Sequence, residues 1–392
     1  MTTSSEQQSG SAVRLKVIED IAAIDAAAWN TLGGADYPFL RHEFLAALET
    51  EDCLGERYGW LPRHLTLWNT EGRLLAAAPL YLKFNSYGEF VFDWAWADAY
   101  ERSGLSYYPK LVGASPYTPA TGPKLLCHPD APDNARDLLM AAGLELARQT
   151  GVSSLHWLFT TPLETAAMEH KGLLRRVGCQ FHWENRGYED FDAFLATLTS
   201  AKRKSIRKER RRVAEAGVAF RLLDGNSASA ADWAIFHALY ESTFHRRGGI
   251  PTLSLGFFRA IARSMPEGVL LVMAESDGRP VAAAFCLVGT DTLYGRHWGT
   301  SEHFDMLHFE ACYYQGLDYC IRHGLARFEP GAQGEHKVAR GFLPTETLSA
   351  HWLADERFRE AIAKHLDYER AGMHEYVQEM QSHSPYRADE MK

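Results

Sequence analysis

The chain has 392 residues, of which 46% are hydrophobic and 23% are charged. This composition is typical of a globular protein, and the length suits two domains. No apolar run approaches the roughly 18 residues that a membrane-spanning helix needs, so we expect no membrane insertion. The formal charge of −9 argues against general affinity for nucleic acid over the whole surface.

The N-terminal segment and the cysteines indicate a protein of a reducing compartment. Residues 1–12 are small and polar, lack the basic and apolar regions of a signal peptide, and are predicted to form a disordered tail. The six cysteines include no CxxC pair, and the 17 histidines include no HExxH spacing. We therefore expect free thiols, no bound metal and a cytoplasmic location.

The first half of the chain predicts a fixed order of elements. They are a strand over 14–18, helices through Trp29 and over 44–48, a β-hairpin at Glu71-Gly72-Arg73, a helix over 135–149 and a strand over 154–160. The second half predicts the same order. Its elements are a strand over 218–223, helices through Trp233 and over 257–261, a hairpin at Asp277-Gly278-Arg279, a helix over 307–323 and a strand over 326–329.

The repeated order predicts two copies of one unit. The hairpin strings EGRLLAAA and DGRPVAAA lie 206 positions apart, close to the spacing of 204 between Trp29 and Trp233. Strands mixed with helices in this order favour an α/β fold in which mixed sheets carry helices on both faces. We place the first unit at 13–185 and the second at 186–392, with a C-terminal helical segment over 355–380.

A strongly basic helix is predicted over 200–216, after a short helix that Asp190 caps. Within it, Ile206 and Val213 are seven positions apart and should share the face that packs on the protein. Its cations are Lys202, Arg203, Lys204, Arg207, Lys208, Arg210, Arg211 and Arg212. They cover the exposed faces, and a bound polyanion would relieve their mutual repulsion. The alternative is a solvated face that acidic neighbours neutralise.

Several strings resemble the FemAB-like acyltransferases of the GNAT superfamily. They are the basic run from Lys202 to Arg210, Tyr294-Gly295-Arg296, Phe328-Glu329, and His336-Lys337 before Gly341-Phe342. The strings FDWAWAD over 92–98 and GAQGEHK over 331–337 are similar to those of a subgroup of predicted N-acyltransferases. The resemblance implies tandem GNAT-like units in a FemAB-type architecture.

The resemblance also implies where chemistry occurs. It places Glu329 and Lys337 near the acyl centre, and His336 belongs to the same string. Glu329 is the expected base, while Lys337 and loop N–H groups stabilise the oxyanion. The residues expected to bind the donor or its phosphates are Lys202, Arg203, Lys204, Arg207, Lys208, Arg296 and Arg340. The alternative interpretation of the 328–342 segment is a loop held by salt bridges.

Acidic and aromatic residues suggest where an acceptor binds. Carboxylates among aromatic rings suit an amine-bearing or sugar-like molecule. The candidates are Asp93, Trp94, Asp98, Tyr108 and Glu335. For Trp94 and its neighbour Trp96, a place in the core between the two units is the alternative interpretation. The helix that carries His308 and Tyr313 is interpreted as a packed amphipathic helix.

Three functions remain open from the sequence. The favoured one is transfer of an acyl group from acyl-CoA to an amine by direct attack. However, the Q/R-x-x-G-x-G/A string that holds the CoA pyrophosphate in GNAT enzymes is absent between Tyr294 and Gln315. The second is therefore aminoacyl transfer from tRNA to a peptidoglycan precursor. The third is an inactive module that binds RNA or a partner through the basic helix. The oligomeric state stays open.

Overall fold

A computed structural model describes residues 13–332 and 334–388, so the tail predicted over 1–12 lies outside the described residues. The first half contains β1 (Val13–Ile18), α1 (Ala26–Asn30), α2 (His42–Thr50), β2 (Trp60–Pro62), β3 (His64–Asn69), β4 (Leu74–Ala78), β5 (Tyr81–Lys83), α3 (Trp94–Arg102), β6 (Lys110–Gly113), β7 (Leu126–Cys127), α4 (Ala135–Thr150), β8 (Ser154–Thr160), α5 (Pro162–His170) and β9 (Leu174–Glu184).

The second half contains α6 (Phe191–Ala196), α7 (Ser200–Glu215), β10 (Val218–Leu223), α8 (Ala230–Arg246), α9 (Leu255–Ser264), β11 (Val269–Ser276), β12 (Arg279–Val288), β13 (Thr292–Thr300), α10 (Leu307–Phe309), α11 (Gln315–His323), β14 (Arg327–Glu329), β15 (Leu343–Leu353) and α12 (Glu356–Ser382). A π-helical turn (Glu310–Tyr314) joins α10 to α11, and a 3₁₀ helix (Glu335–Arg340) precedes β15.

Both predicted hairpins are confirmed. Strand β3 pairs antiparallel with β4, and β11 pairs antiparallel with β12. Gly72 and Gly278 in the two turns have φ angles of 85° and 69°. Only glycine adopts this left-handed region without cost, which explains the Gly in both strings.

The strands form one long sheet and one short sheet. The long sheet has eleven strands in the order β10-β11-β12-β13-β14-β9-β15-β8-β6-β5-β2, and the short sheet has the order β1-β3-β4-β7. Helices pack on both sheets, as the α/β prediction requires. Strand β15 of the second half lies between β8 and β9 of the first half, because Ala350 pairs with Trp157 on one side and Arg175 on the other.

The hydrophobic core also joins the two halves. Trp29 and Phe44 of the first half belong to the same buried cluster as Phe257 and Phe285 of the second half. The rings of Phe44 and Phe257 meet edge to face, with centroids 5.5 Å apart. Sequence separation therefore says little about which helices pack together here.

The C-terminal helix packs on both halves. Met380 of α12 lies in a buried cluster with Phe194 and Phe342 of the second half, as predicted, whereas Ile362 and Leu366 pack against Trp96 and Tyr100 of α3 in the first half. Trp96 thus lies in the core, as its alternative interpretation predicted, whereas Trp94 is 40% exposed. No helix in residues 13–332 and 334–388 is long and apolar enough to span a bilayer.

Candidate active site

A cleft opens where two parallel strands separate. Strand β13 pairs with β14 from Thr292↔Arg327 to Tyr294↔Glu329, where β14 ends. Strand β13 continues to Thr300 and stays paired with β12 on one edge. Beyond Tyr294, its other edge is no longer paired with β14. A cavity of about 530 Å³ occupies this gap. Separated strand ends of this kind expose backbone N–H and C=O groups to a ligand.

A bulge shapes the strand edge that lines the cleft. Phe285 pairs with His297 and Cys286 pairs with Gly295, which leaves Arg296 as the extra residue. A Cβ at Gly295 would lie 3.2 Å from Pro330 Cα, so glycine allows the loop after β14 to approach β13 closely. The cleft is lined by Arg247, Ala284, Phe285, Cys286, Gly295, Arg296, His297, Trp298, His308, Cys312, Tyr313, Pro330, Gly331, Ala332, Gly334, His336 and Lys337.

Glu329 ends β14 at the point where the strands separate. Its side chain is buried, and its Oε2 has no hydrogen-bond partner among the described residues. Burial raises the pKa of Glu329 to about 7, against the opposing effect of Arg327 and Arg296. A carboxyl group that titrates near neutral pH and keeps one oxygen free is suited to accept a proton.

Lys337 supplies a cation to the lining of the cleft. The side chain is 1% exposed, and its Nζ donates to the Gly331 carbonyl at 2.6 Å. Burial lowers the pKa of Lys337 to about 8. The ammonium is held by one carbonyl and retains two N–H donors, which can bind an oxyanion.

Three imidazoles with lowered pKa values line the cleft. His336 Nε2 lies 2.8 Å from the Tyr313 hydroxyl, and burial lowers the pKa of His336. Burial lowers the pKa of His308 to about 4 and that of His297 to about 3. The π-helical turn positions Tyr313, and such turns occur mainly at functional sites.

Arg340 and Arg296 are both engaged with the protein. Arg340 donates to the His336 carbonyl at 2.7 Å and to the Glu209 carboxylate at 3.0 Å, and it stacks on Phe309. Arg296 lines the cleft and donates to the Tyr117 carbonyl, while burial lowers its pKa to about 10. Arg340 therefore connects the 3₁₀ helix to α7. Binding of the donor by Arg340 or Arg296 stays a prediction.

The basic helix α7 lies beside the cleft without lining it. Ile206 and Val213 are buried, which confirms the predicted packing face. Arg207 pairs with Asp192 at 2.8 Å, and Arg210 pairs with Glu310 at 3.1 Å. The cations of α7 that form no ion pair within the described part of the chain are Lys202, Arg203, Lys204, Lys208 and Arg212. Acidic neighbours thus neutralise only part of this surface.

The predicted acceptor residues lie outside the cleft. Asp93 is buried, and its carboxylate accepts hydrogen bonds from Tyr107 at 2.6 Å and from Lys110. Burial raises the pKa of Asp93, but the Lys110 ammonium outweighs this effect and lowers the pKa to about 2. The Tyr108 hydroxyl bonds to Ser86 at 2.8 Å. Trp94 packs against Tyr87, Asp98 is exposed on α3, and Glu335 is exposed and accepts from Tyr376 at 3.0 Å.

A second cavity, the side chamber, adjoins the cleft. Its volume is about 220 Å³, and Ala332 lines both cavities. The other residues that line it are Phe90, Val91, Phe92, Phe159, Arg176, Val177, Gly178, Cys179, Gln180, Thr347, Leu348, Ser349, Glu369 and Met373. Phe90 and Phe159 have φ angles of 61° and 52°. Non-glycine residues rarely adopt this strained conformation, and such strain concentrates at functional sites.

Sequence reasoning missed several of these residues. His308 and Tyr313 line the cleft on a helix that we interpreted as packing only. Arg247, which follows α8, is exposed at the cleft and forms no ion pair with the residues described. The Arg246-Arg247-Gly248-Gly249 string was a usable signal, because paired cations followed by glycines mark a helix end that can meet an anion.

The fold places the protein in the class of mixed α/β proteins with a FemAB-type architecture. The solved structure of FemX has a TM-score of 0.53 and 12% identity, with 87% of this chain and 98% of that chain covered. L-PGS from Bacillus licheniformis has a TM-score of 0.50 and 11% identity, with 77% and 88% covered. At these identities the similarity shows the fold alone.

The chain belongs to the FemAB-like family, described as peptidoglycan biosynthesis and recognition, whose family model matches residues 20–388. No curated protein matches the sequence. Membership in this family supports an enzyme that transfers acyl or aminoacyl groups in peptidoglycan-related biosynthesis.

Proposed function

We propose that this protein transfers an acyl group from an activated, phosphate-bearing donor to an amine in the cleft between β13 and β14. The observation that carries the proposal is a buried carboxyl group, Glu329, at the end of β14 directly before the cleft-lining Pro330, together with a buried ammonium, Lys337, in the lining of the same cleft. A base for the amine and a cation for the oxyanion are the two groups that the reaction needs.

In the proposed step, the amine nitrogen attacks the carbonyl carbon of the donor. The Glu329 carboxylate takes the proton that the nitrogen loses as the new C–N bond forms. Lys337 and the N–H groups of the 330–337 loop stabilise the oxygen as it becomes negative. Collapse of this intermediate breaks the bond to the leaving thiolate or alkoxide, which recovers the proton from Glu329.

Direct attack by the amine is favoured over a covalent enzyme intermediate. Cys286 and Cys312 are the thiols that line the cleft, and burial raises the pKa of Cys286 to about 12. Burial raises the pKa of Cys312 well above its ordinary value, so the thiol stays protonated. A protonated, buried thiol is a poor nucleophile.

The donor is expected to be polyanionic. Helix α7 contacts the π-helical turn and the 3₁₀ helix that form one side of the cleft, and it carries exposed cations without ion-pair partners among the described residues. They suit the phosphates of acyl-CoA, our first candidate. Aminoacyl-tRNA is the second, favoured by the FemAB-like family and by the length of the basic surface.

The acceptor is expected to enter through the side chamber. Phe90 and Phe92 are exposed by 39% and 52% and face the chamber, which meets the cleft at Ala332. Aromatic walls of this kind suit the sugar ring or apolar part of an amine-bearing peptidoglycan precursor. Asp93, Trp94 and Tyr108 would then hold the loop that carries Phe90 and Phe92, and Glu335 would hold α12 through Tyr376. Acceptor binding by Asp98 stays a prediction.

Calorimetry with acetyl-CoA and a longer acyl-CoA tests the donor first. Saturable binding that weakens about tenfold or more in Lys204→Glu/Lys208→Glu supports a CoA donor bound by α7, because each side chain is exposed and ion-pair free. Lys364→Glu, an exposed lysine on α12, is the matched control. No binding at millimolar ligand rejects CoA and directs the same variants to charged tRNA, with a steep salt dependence expected.

Turnover tests the chemistry. With a donor in hand, release of its leaving group is measured against amine acceptors. Lys337→Met should lower kcat by about 10² to 10³ through loss of oxyanion stabilisation, and Lys337→Arg should restore part of it. Full turnover in Lys337→Met would reject the proposed role of this residue. Unchanged RNA or partner binding without any turnover would favour the inactive module instead.

A further inference from the structure

Gln180 fixes the tautomer of His182 from the side of the chamber. The Gln180 Nε2 donates to the Pro119 carbonyl at 2.8 Å, and a carbonyl can only accept, so the amide nitrogen must face Pro119. The amide oxygen therefore faces His182, whose Nε2 lies 3.1 Å away. Since this oxygen has no proton to give, His182 Nε2 carries the hydrogen.

The other ring nitrogen of His182 faces the candidate base. His182 Nδ1 lies 3.9 Å from Glu329 Oε1, and the two residues are only 6% and 5% exposed. Burial lowers the pKa of His182 to about 3, so Nδ1 holds a free lone pair at neutral pH. An ionised Glu329 also presents only lone pairs, so the two atoms repel and stay beyond hydrogen-bond distance. When Glu329 Oε1 carries a proton, it can donate a hydrogen bond to His182 Nδ1 once the two atoms move about 1 Å closer.

We propose that His182 is a positioning residue for the transfer, and that its Nδ1 accepts a hydrogen bond from Glu329 once that carboxylate has taken the amine proton. The N–H bond of the amine breaks as the O–H bond of Glu329 forms, and the proton later passes to the leaving group. His182 never changes its own protonation state. It stabilises the protonated carboxyl and thereby raises the proton affinity of the base.

Other charged and titratable groups lie around Glu329 and His182, and none replaces the hydrogen bond from Glu329 to His182 Nδ1. Those around Glu329 are Arg327 and Asp291 near its own strand, Tyr294 and Arg296 of β13, and Tyr37 and Lys124 of the first half. Those around His182 are Arg327 and Lys337. The cations favour ionised Glu329, whereas burial and the charge of Asp291 favour the protonated form; His182 Nδ1 is the lone pair placed to accept a hydrogen bond from that form.

The inference rests on the proposed function, but its first test needs no turnover. In ¹⁵N-histidine-labelled protein, NMR should show His182 protonated at Nε2 from pH 6 to 9, with an Nδ1 resonance that shifts as Glu329 gains its proton. His182→Gln assigns the resonance by its loss. In Glu329→Gln the Nδ1 resonance should no longer respond to pH. A proton on Nδ1, or an Nδ1 resonance that ignores pH in the unaltered protein, would overturn the proposal.

The second test separates positioning from general support of the fold. In a transferase assay, His182→Gln should lower kcat/KM by up to about tenfold and move the acid limb to lower pH by up to about one unit, the worth of one hydrogen bond. A purely structural role would lower activity equally at every pH and overturn the proposal. If NMR shows the coupling while no acyl donor is turned over, the pair stands and the proposed function fails.

Discussion

Burial sets the chemistry of the cleft residue by residue. The same loss of water raises the pKa of the Glu329 carboxyl to about 7 and that of the Cys312 thiol well above its ordinary range. The consequences differ, because the carboxyl becomes a base that works near neutral pH while the thiol stays inert. Lys337 follows the same rule, with a pKa lowered to about 8. Three neighbouring groups thus receive different roles from one physical cause.

The buried carboxyl should leave a signature in stability. Because its folded pKa of about 7 exceeds the ordinary 4.5, stability present below about pH 4.5 is lost as the pH rises through 7. Glu329→Gln has no charge to bury. Its free energy of unfolding, relative to that of the unaltered protein, should therefore rise by about 3 kcal/mol when the pH is raised from 5 to 9. Urea unfolding at both pH values measures this. Parallel pH dependence in the two proteins would contradict the assigned pKa.

At the scale of elements, α7 has an outward and an inward role. Its exposed cations form the basic surface, whereas Glu209 points inward and accepts from Arg340 at 3.0 Å and from the Tyr314 hydroxyl. Arg340 in turn holds the His336 carbonyl. The helix proposed to bind the donor is therefore tied directly to the turn that carries His336 and Lys337.

Removing the inward carboxylate should loosen this connection. Glu209→Gln leaves the Arg340 guanidinium, which is 9% exposed, without a negative partner and should cost about 2 to 4 kcal/mol in the free energy of unfolding. Glu215→Gln is the matched control on the same helix, since its pair with Arg211 is 3.5 Å long and about two-thirds exposed. The control should change stability by no more than about 0.5 kcal/mol. Equal effects would contradict the structural role of Glu209.

A buried ion cluster holds the aromatic loop of residues 84–94 in the first half. Lys110 is fully buried and donates to Glu89 at 2.8 Å and to Asp93. Lys110→Met should cost about 3 to 5 kcal/mol, because two buried carboxylates lose their cation. Chemical denaturation measures it against Lys171→Met, whose exposed pair with Asp137 should cost less than about 1 kcal/mol. A small effect of Lys110→Met would show that the carboxylates are neutral in the fold.

At the scale of the whole molecule, the two halves are connected because a strand of the second half is inserted between two strands of the first half. Strand β15 comes from the second half and lies between β8 and β9 of the first. The described lining of the cleft comes from the second half, while Gln180 of β9 lines the adjoining side chamber with Phe90 and Phe92, and His182 of β9 faces Glu329. A site of this kind requires both halves in place.

Separating the chain at the predicted boundary tests this dependence. Residues 13–185 expressed alone would expose the edges of β8 and β9 that β15 normally covers, and should not give a cooperative unfolding transition. Mixing or co-expressing them with residues 186–392 should restore the transition. Circular dichroism and calorimetry measure both outcomes. Cooperative folding of 13–185 alone would instead support two independent domains.

Local pattern predicted the elements well, for a physical reason. The hairpins need a left-handed residue between apolar runs, and Gly72 and Gly278 provide it within a few positions of sequence. Ile206 and Val213 fix the face of α7 by helical spacing alone. Strands β9 and β15 escaped prediction because their place in the sheet depends on partners more than 140 residues away, and local sequence carries no information on such pairing.

By itself, the sequence determined the α/β class, the order of the main elements, the basic helix and the candidacy of Glu329, His336 and Lys337. The class, the order of elements and the basic helix rest on short-range periodicity and turn chemistry, and the candidacy of the three residues rests on the resemblance of their strings to the FemAB-like family. Only the tertiary structure decided that Asp93 is an internal ion-pair partner, that Trp94 is exposed while Trp96 is buried, and that Arg340 binds Glu209. It also decided that His182 faces Glu329. Each of these depends on burial and on contacts between distant segments, which exist only once the chain has folded.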